Sequence, residues 1–146
     1  SIPTAMKAEH DELHSELVHA TKAGGQTGEA AEAVAKVLHA HFVKEEEYAL
    51  PPLGLLTALA RGEFEPGMAE VLAMTDKLEA ELPQMLAEHQ QIVAALEKLV
   101  AAAKAEQRPD IVNFAEKLMM HALAEEQIAY PTALLIGRYV KTSLAA

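Results

Sequence analysis

Two short patterns in the chain combine histidine and glutamate at spacings suited to holding a metal ion. One is the dipeptide Glu9-His10, which returns as Glu88-His89. The other is HxxxE, present as His41 to Glu45 and again as His121 to Glu125. An α-helix turns about 100° per residue, so residues four apart differ by about 40° and share a face. Glu45 therefore stands beside His41, and Glu125 beside His121. Glu46 and Glu47 rotate away from Glu45 by roughly 100° and 160°. One glutamate of each acidic run is singled out, and the remainder read as a solvated face. Four imidazoles and two carboxylates form a nitrogen and oxygen donor set without sulfur, which suits iron or manganese and can take zinc. Six protein donors are too few to saturate two cations. Each cation would keep at least one position for water or a small ligand, with the two glutamates able to bridge them.

The patterns need helices to present them, and the chain supplies helices. Gly24-Gly25, Pro51-Pro52, Pro66-Gly67, Pro109 and Pro131 punctuate it,. Between these marks apolar residues recur every three or four positions. Thr4 to Ala23 carries Met6, His10, Leu13 and Leu17 on one stripe. Gly28 to Leu50 carries Val34, Val37, Leu38, His41, Glu45 and Tyr48. A third segment holds Leu82, Met85, Leu86, His89, Ile92, Val93 and Leu96, and a fourth, opening near Pro109, holds Phe114, Leu118, His121, Glu125 and Ile128. All four predict amphipathic helices. Leu53 to Arg61 reads as a short added helix stopped by Gly62. Met68 to Glu81 also reads as helical, and Pro83 either kinks one long helix or starts a new one. Thr132 to Leu144 extends the fourth helix beyond Pro131. The expected fold is all-α, an antiparallel four-helix bundle with short extra helical segments.

The chain also repeats. His10 and His89 are 79 residues apart; His41 and His121, Glu45 and Glu125, and Pro51 and Pro131 are each 80 apart. A single domain over residues 1–146 is expected, built from two pseudo-repeated helical hairpins at about 4–50 and 83–130. Their meeting place is a candidate pseudo-symmetric site.

All six repeated donors fall on apolar stripes, so they point into the bundle. A buried unpaired charge costs several kcal/mol, and two facing carboxylates repel. A cation removes both penalties. The alternative without metal is a pair of His–Glu hydrogen bonds in a polar core network. His14, one turn after His10, is a candidate neighbouring group or substitute ligand, whereas His19 and His39 point away. Tyr48 is placed either to hydrogen-bond near the site or to pack with its hydroxyl at the surface. Met119 and Met120 are core candidates.

Composition sets outer limits. Of 146 residues, 51% are hydrophobic but only 4% aromatic, an Ala- and Leu-type apolar content that favours helix over sheet,. The chain has no cysteine, which excludes disulfides, thiolate metal sites and a cysteine nucleophile,. The formal net charge of -10 argues against nucleic acid and anionic membranes as partners,. No apolar run approaches the roughly 20 residues of a membrane span, and no signal segment is visible, so a cytoplasmic location is expected.

The order His, HxxxE, His, HxxxE on four successive helices resembles the hemerythrin-like (HHE cation-binding) family, over nearly the whole chain from His10 to Pro131. The resemblance implies a four-helix bundle around a non-haem di-iron centre. His10, His41, His89 and His121 would be terminal ligands, and Glu45 and Glu125 bridging carboxylates. Oxygen-carrying hemerythrins of marine invertebrates have a second histidine four residues after the third-helix histidine, where this chain has Val93. They also use a longer spacing to an aspartate on the fourth helix. This chain is closer to bacterial members linked to iron handling or to oxygen and nitric oxide response. The function so implied is metal binding by two iron ions, with a small diatomic ligand. The alternatives are a di-iron oxidase, peroxidase or nitric oxide-reducing enzyme, and a metal-free helical interaction module.

Overall fold

The structure is a computed structural model that describes all 146 residues. Four long helices form an all-α bundle. α1 spans Thr4–Thr21, α2 spans Gly25–Lys44, α4 spans Leu72–Ala105 and α5 spans Pro109–Ala124. A short α3, Leu56–Ala60, lies in the connection between the halves, flanked by tight turns at Pro51–Leu55 and Pro66–Val71. α6, Tyr130–Ala145, continues the direction of α5 and packs on α4. Gly24 and Gly25 turn the chain from α1 into α2 with φ of 74° and 58°, in the left-handed region that glycine tolerates,. No helix is long and apolar enough to cross a membrane.

Pro83 does not start a new helix. It sits inside the 34-residue α4, which continues through it. Met68 belongs to the tight turn that runs directly into α4, and the Leu53 to Arg61 stretch divides between a tight turn and α3. Met119 packs at the core edge, but Met120 is 66% exposed and is not a core residue.

The second and fourth helices depart from the expected regular geometry at one place each. Glu45–Ala49 and Glu125–Ala129 form wide turns with i→i+5 hydrogen bonds, inserted directly after α2 and α5. The Leu50 amide donates to the Glu45 carbonyl at 2.8 Å, and the Tyr130 amide donates to the Glu125 carbonyl. Pro51 and Pro131 follow immediately. Lacking an N–H, each leaves the ordinary i→i−4 ladder open where the turn widens.

Burial divides into two apolar clusters with a polar layer between them. One contains Leu13, Leu17, Val34, Leu38, Ile92, Leu96, Phe114 and Leu118 among others. The other contains Tyr48, Leu50, Leu78, Met85, Tyr130, Ile136 and Val140. Along α4, His89 falls between Met85 of one cluster and Ile92 of the other. Along α2 and the wide turn after it, His41 and Glu45 fall between Leu38 and Tyr48. The polar layer is thus closed off from water by packed side chains on both sides, which makes any uncompensated charge within it costly.

Candidate metal centre

All six sequence-predicted donors are buried in this layer: His10, His41, Glu45, His89, His121 and Glu125. The helices bring them together as two adjoining groups. His41, Glu45, His89 and Glu125 converge on one point, and His10, His121 and Glu125 on a second. Each carboxylate divides its oxygens between the two. Glu45 Oε2 lies 3.4 Å from His41 Nε2, while its Oε1 lies 3.6 Å from His10 Nε2. Glu125 Oε1 lies 3.3 Å from His89 Nε2, while its Oε2 lies 2.9 Å from His121 Nε2 and 3.3 Å from His10 Nε2. The first point is therefore faced by two imidazole nitrogens and one oxygen from each glutamate; the second is faced by two imidazole nitrogens and Glu125, with Glu45 Oε1 approaching it only through His10.

These spacings fit a metal. With metal–donor bonds of about 2.1 Å, neighbouring donors stand about 3.0 Å apart and opposite ones about 4.2 Å. Two buried atoms of the set, Glu45 Oε1 and His121 Nε2, have no hydrogen-bond partner. An unpartnered acceptor in a dry layer is costly, and a cation bound between the donors satisfies it.

A ring of four outer glutamates fixes the imidazoles. Glu88 Oε1 accepts from His41 Nδ1 at 2.8 Å, Glu126 Oε1 from His89 Nδ1 at 2.9 Å, and Glu46 Oε2 from His10 Nδ1 at 3.2 Å; Glu9 accepts from His121 Nδ1. With Nδ1 engaged in donating, every Nε2 turns inward, where a metal that displaces its proton can take its lone pair. This is the carboxylate–histidine arrangement that orients metal ligands and raises their basicity. The glutamates connect the helices in a closed circuit: α1 holds the α5 histidine, the turn after α5 holds that of α4, α4 holds that of α2, and the turn after α2 holds that of α1. Lys44 Nζ in turn donates to Glu88 Oε2 at 2.6 Å, and Lys7 Nζ to Glu46 Oε1 at 2.9 Å.

Protonation follows from this geometry. Burial drives Glu45 upward to about 7, reinforced by repulsion from Glu125,. Burial would raise Glu125 too, but hydrogen bonds from His10, His121 and His89 overcome it and hold Glu125 well below the ordinary value. Desolvation opposes charge on His121, yet the carboxylates of Glu125 and Glu9 outweigh it and raise the ring to about 9. His10 and His41 shift upward by the same balance. Glu88 resists its own partial burial through Lys44 and His41 and falls to about 2. His10, His41 and His121 carry, as protons, positive charge that the buried carboxylates require, and a metal cation competes with those protons,.

Some expectations change. Glu46 and Glu126 are not merely solvated: each is about one-third exposed and bonded to a ligand-candidate histidine. His14 is exposed and lines a surface crevice with His39, outside the donor set, and His19 is exposed as well. Tyr48 is buried, with its hydroxyl 3.5 Å from Met85 Sδ, so it neither reaches the site nor the surface.

The residue missed from the sequence is Tyr130. Its hydroxyl donates to Glu45 Oε2 at 2.5 Å and stands 3.1 Å from His89 Nε2 and 3.2 Å from His41 Nε2. On a regular helix it would lie about 140° from Glu125 and face elsewhere; the wide turn swings it into the site. The shared Pro after each HxxxE was the available signal for that turn. Tyr130 occupies the place of Leu50 in the repeat, 80 residues earlier. Burial and the nearby carboxylates push its phenol strongly upward.

Among curated proteins and among solved structures, no match to the chain was found. The family model described as hemerythrin HHE cation binding domain matches residues 2–133. That span contains all four helices of the bundle, both HxxxE motifs and the whole converging donor set, and the chain belongs to the hemerythrin HHE cation-binding domain family.

Proposed function

We propose that the chain holds a dinuclear non-haem iron centre and uses it to bind or respond to a small diatomic ligand such as oxygen or nitric oxide, or to handle iron itself. The observation that carries this reading is the pair of adjoining donor groups that share Glu125, with Glu45 of the first group reaching to 3.6 Å from His10 of the second. His41 and His89 would serve one iron, His10 and His121 the other, with Glu45 and Glu125 bridging. A bound iron pair supplies one-electron redox chemistry and open positions for a small ligand.

The protein's part is positional and electrostatic. The outer glutamates Glu9, Glu46, Glu88 and Glu126 hold the rings so that Nε2 faces inward without further reorganisation. Two carboxylates offset the charge of the metals in a layer sealed by apolar side chains. Tyr130 holds a proton next to Glu45. The same donors suit manganese and can take zinc.

Anaerobic reconstitution with ferrous iron followed by metal analysis tests the proposal. Two irons per chain are expected, and His41→Ala should cut loading sharply with the helical circular dichroism retained. Uptake well below two, or unchanged loading in the variant, overturns the assignment. Turnover of oxygen, peroxide or nitric oxide with a reductant, above that of free iron, would make the protein an enzyme rather than a binding protein.

A further inference from the structure

The duplicated plan is unequal at one position, and the inequality falls on the metal layer. Tyr130 and Leu50 are equivalent by the 80-residue offset, and both are buried. Leu50 offers no donor. The Tyr130 oxygen sits among three of the four donor atoms of one group, at 2.5, 3.1 and 3.2 Å from Glu45 Oε2, His89 Nε2 and His41 Nε2. Two of these distances match the spacing of about 3.0 Å between neighbouring ligands on one cation.

The three atoms around the phenol oxygen belong to residues of the same donor group that converges on the first point. A phenol has one hydrogen, and it is directed at Glu45,. The two Nε2 atoms that face the same oxygen belong to rings whose Nδ1 is held by an outer glutamate, so both rings are aimed at the phenol by contacts outside the layer. The phenol oxygen, Glu45 Oε2 and the two Nε2 atoms thus converge, as four possible donors to a metal, on a single point. A cation at that point satisfies all of them together.

We propose that Tyr130 is itself a metal ligand: its oxygen is the fifth protein donor to the position served by His41 and His89, and the His10/His121 position, which lacks an equivalent, is where a small exogenous ligand binds. The inference rests on the dinuclear reading above. On coordination the phenol O–H bond breaks as the oxygen–metal bond forms, and the proton leaves to solvent.

The test is the protein reconstituted with iron and oxidised to the ferric state. Tyrosinate bound to ferric iron gives a visible charge-transfer band, and resonance Raman excited in that band shows phenolate ring modes. Protein carrying ring-deuterated tyrosine should show those modes shifted. Tyr130→Phe should lose band and modes while retaining two irons per chain, whereas Tyr48→Phe and Tyr139→Phe should keep them. The labelled wild-type protein decides the matter even where Tyr130→Phe folds poorly. Two irons per chain without tyrosinate modes overturn the inference alone and leave Tyr130 as a holder of Glu45. One iron with tyrosinate modes keeps Tyr130 as a ligand and removes the second position. No iron at all overturns both.

Discussion

Raising the pH should weaken the metal-free protein and strengthen its preference for metal. His121 is held at about 9 against an ordinary value of 6.5. A raised histidine means that the native state binds its proton more tightly than the unfolded chain does. The resulting stability is complete below about pH 6.5 and is lost as pH rises through about 9. At about 1.4 kcal/mol per unit, this one ring accounts for at most about 3 kcal/mol. Glu45, also raised, acts in the same direction from the ordinary carboxylate range up to about 7. Glu88 and Glu125, both lowered, act in the opposite direction, but only below about pH 4.5. Stability should therefore peak at mildly acidic pH. For a chain of this length, about 3 kcal/mol corresponds to a fall in Tm on the order of 10 °C by pH 9. Zinc loading should reverse the trend, because the protons that stabilise the metal-free layer are those a cation must displace. The assay is a melting series from pH 5 to pH 9, on metal-free protein and on protein loaded with redox-inert zinc and freed of excess. Repeating it in about 1 M salt, where the Debye length is about 3 Å, removes the surface repulsion of an acidic chain. A metal-free Tm that stays level or rises between pH 6.5 and 9 in high salt refutes the buried-proton account. So does a zinc-induced shift that shrinks with pH.

Two further outcomes follow from specific contacts. Glu88→Gln should lower metal affinity about 10- to 100-fold with the fold intact, since Glu88 orients His41 and is fixed by Lys44,; competition with a chromophoric chelator measures it, and an unchanged affinity removes Glu88 from the site. Gly137→Ala should destabilise by about 1–3 kcal/mol without changing metal stoichiometry, because a Cβ there would stand 2.4 Å from Thr75 Oγ1 and force α6 away from α4,. The denaturant midpoint reads this, and an unshifted midpoint means that α6 is free to move.

The bundle and its six inward donors were legible because both follow from helical periodicity. A polar residue repeated on an apolar stripe at a fixed offset has few explanations, and His10, His41, Glu45, His89, His121 and Glu125 all proved buried. What escaped was whatever depended on departures from 100° per residue or on contacts between helices. Tyr130 is the clearest case: it enters the site only because the turn after Glu125 is one residue wider than an α-turn,. Pro83 was ambiguous because a proline fits the first turn of a new helix without losing a hydrogen bond and removes one inside a continuous helix, and only packing along α4 decides between the two. The outer glutamates were visible as parts of motifs, but their partners lie on neighbouring helices, and no spacing along one helix names a partner on another.

Those outer contacts change the meaning of the chain's acidity. Six of its 22 acidic residues belong to the metal layer or directly support it: Glu45 and Glu125 inside, and Glu9, Glu46, Glu88 and Glu126 around it. Because each outer glutamate acts on the histidine of the next helix, a ligand cannot be oriented unless the neighbouring helix is docked. Assembly of the bundle and preparation of the donors are then one event, in keeping with the repeat of the dipeptide Glu-His at 79 residues and of the doublet Glu-Glu at 80. The repeat preserves this circuit in both halves yet differs at Leu50 and Tyr130. Two donor groups with matching pairs of oriented histidines thus differ at this side chain, and it is at that residue that the two halves of the proposed centre should divide their roles.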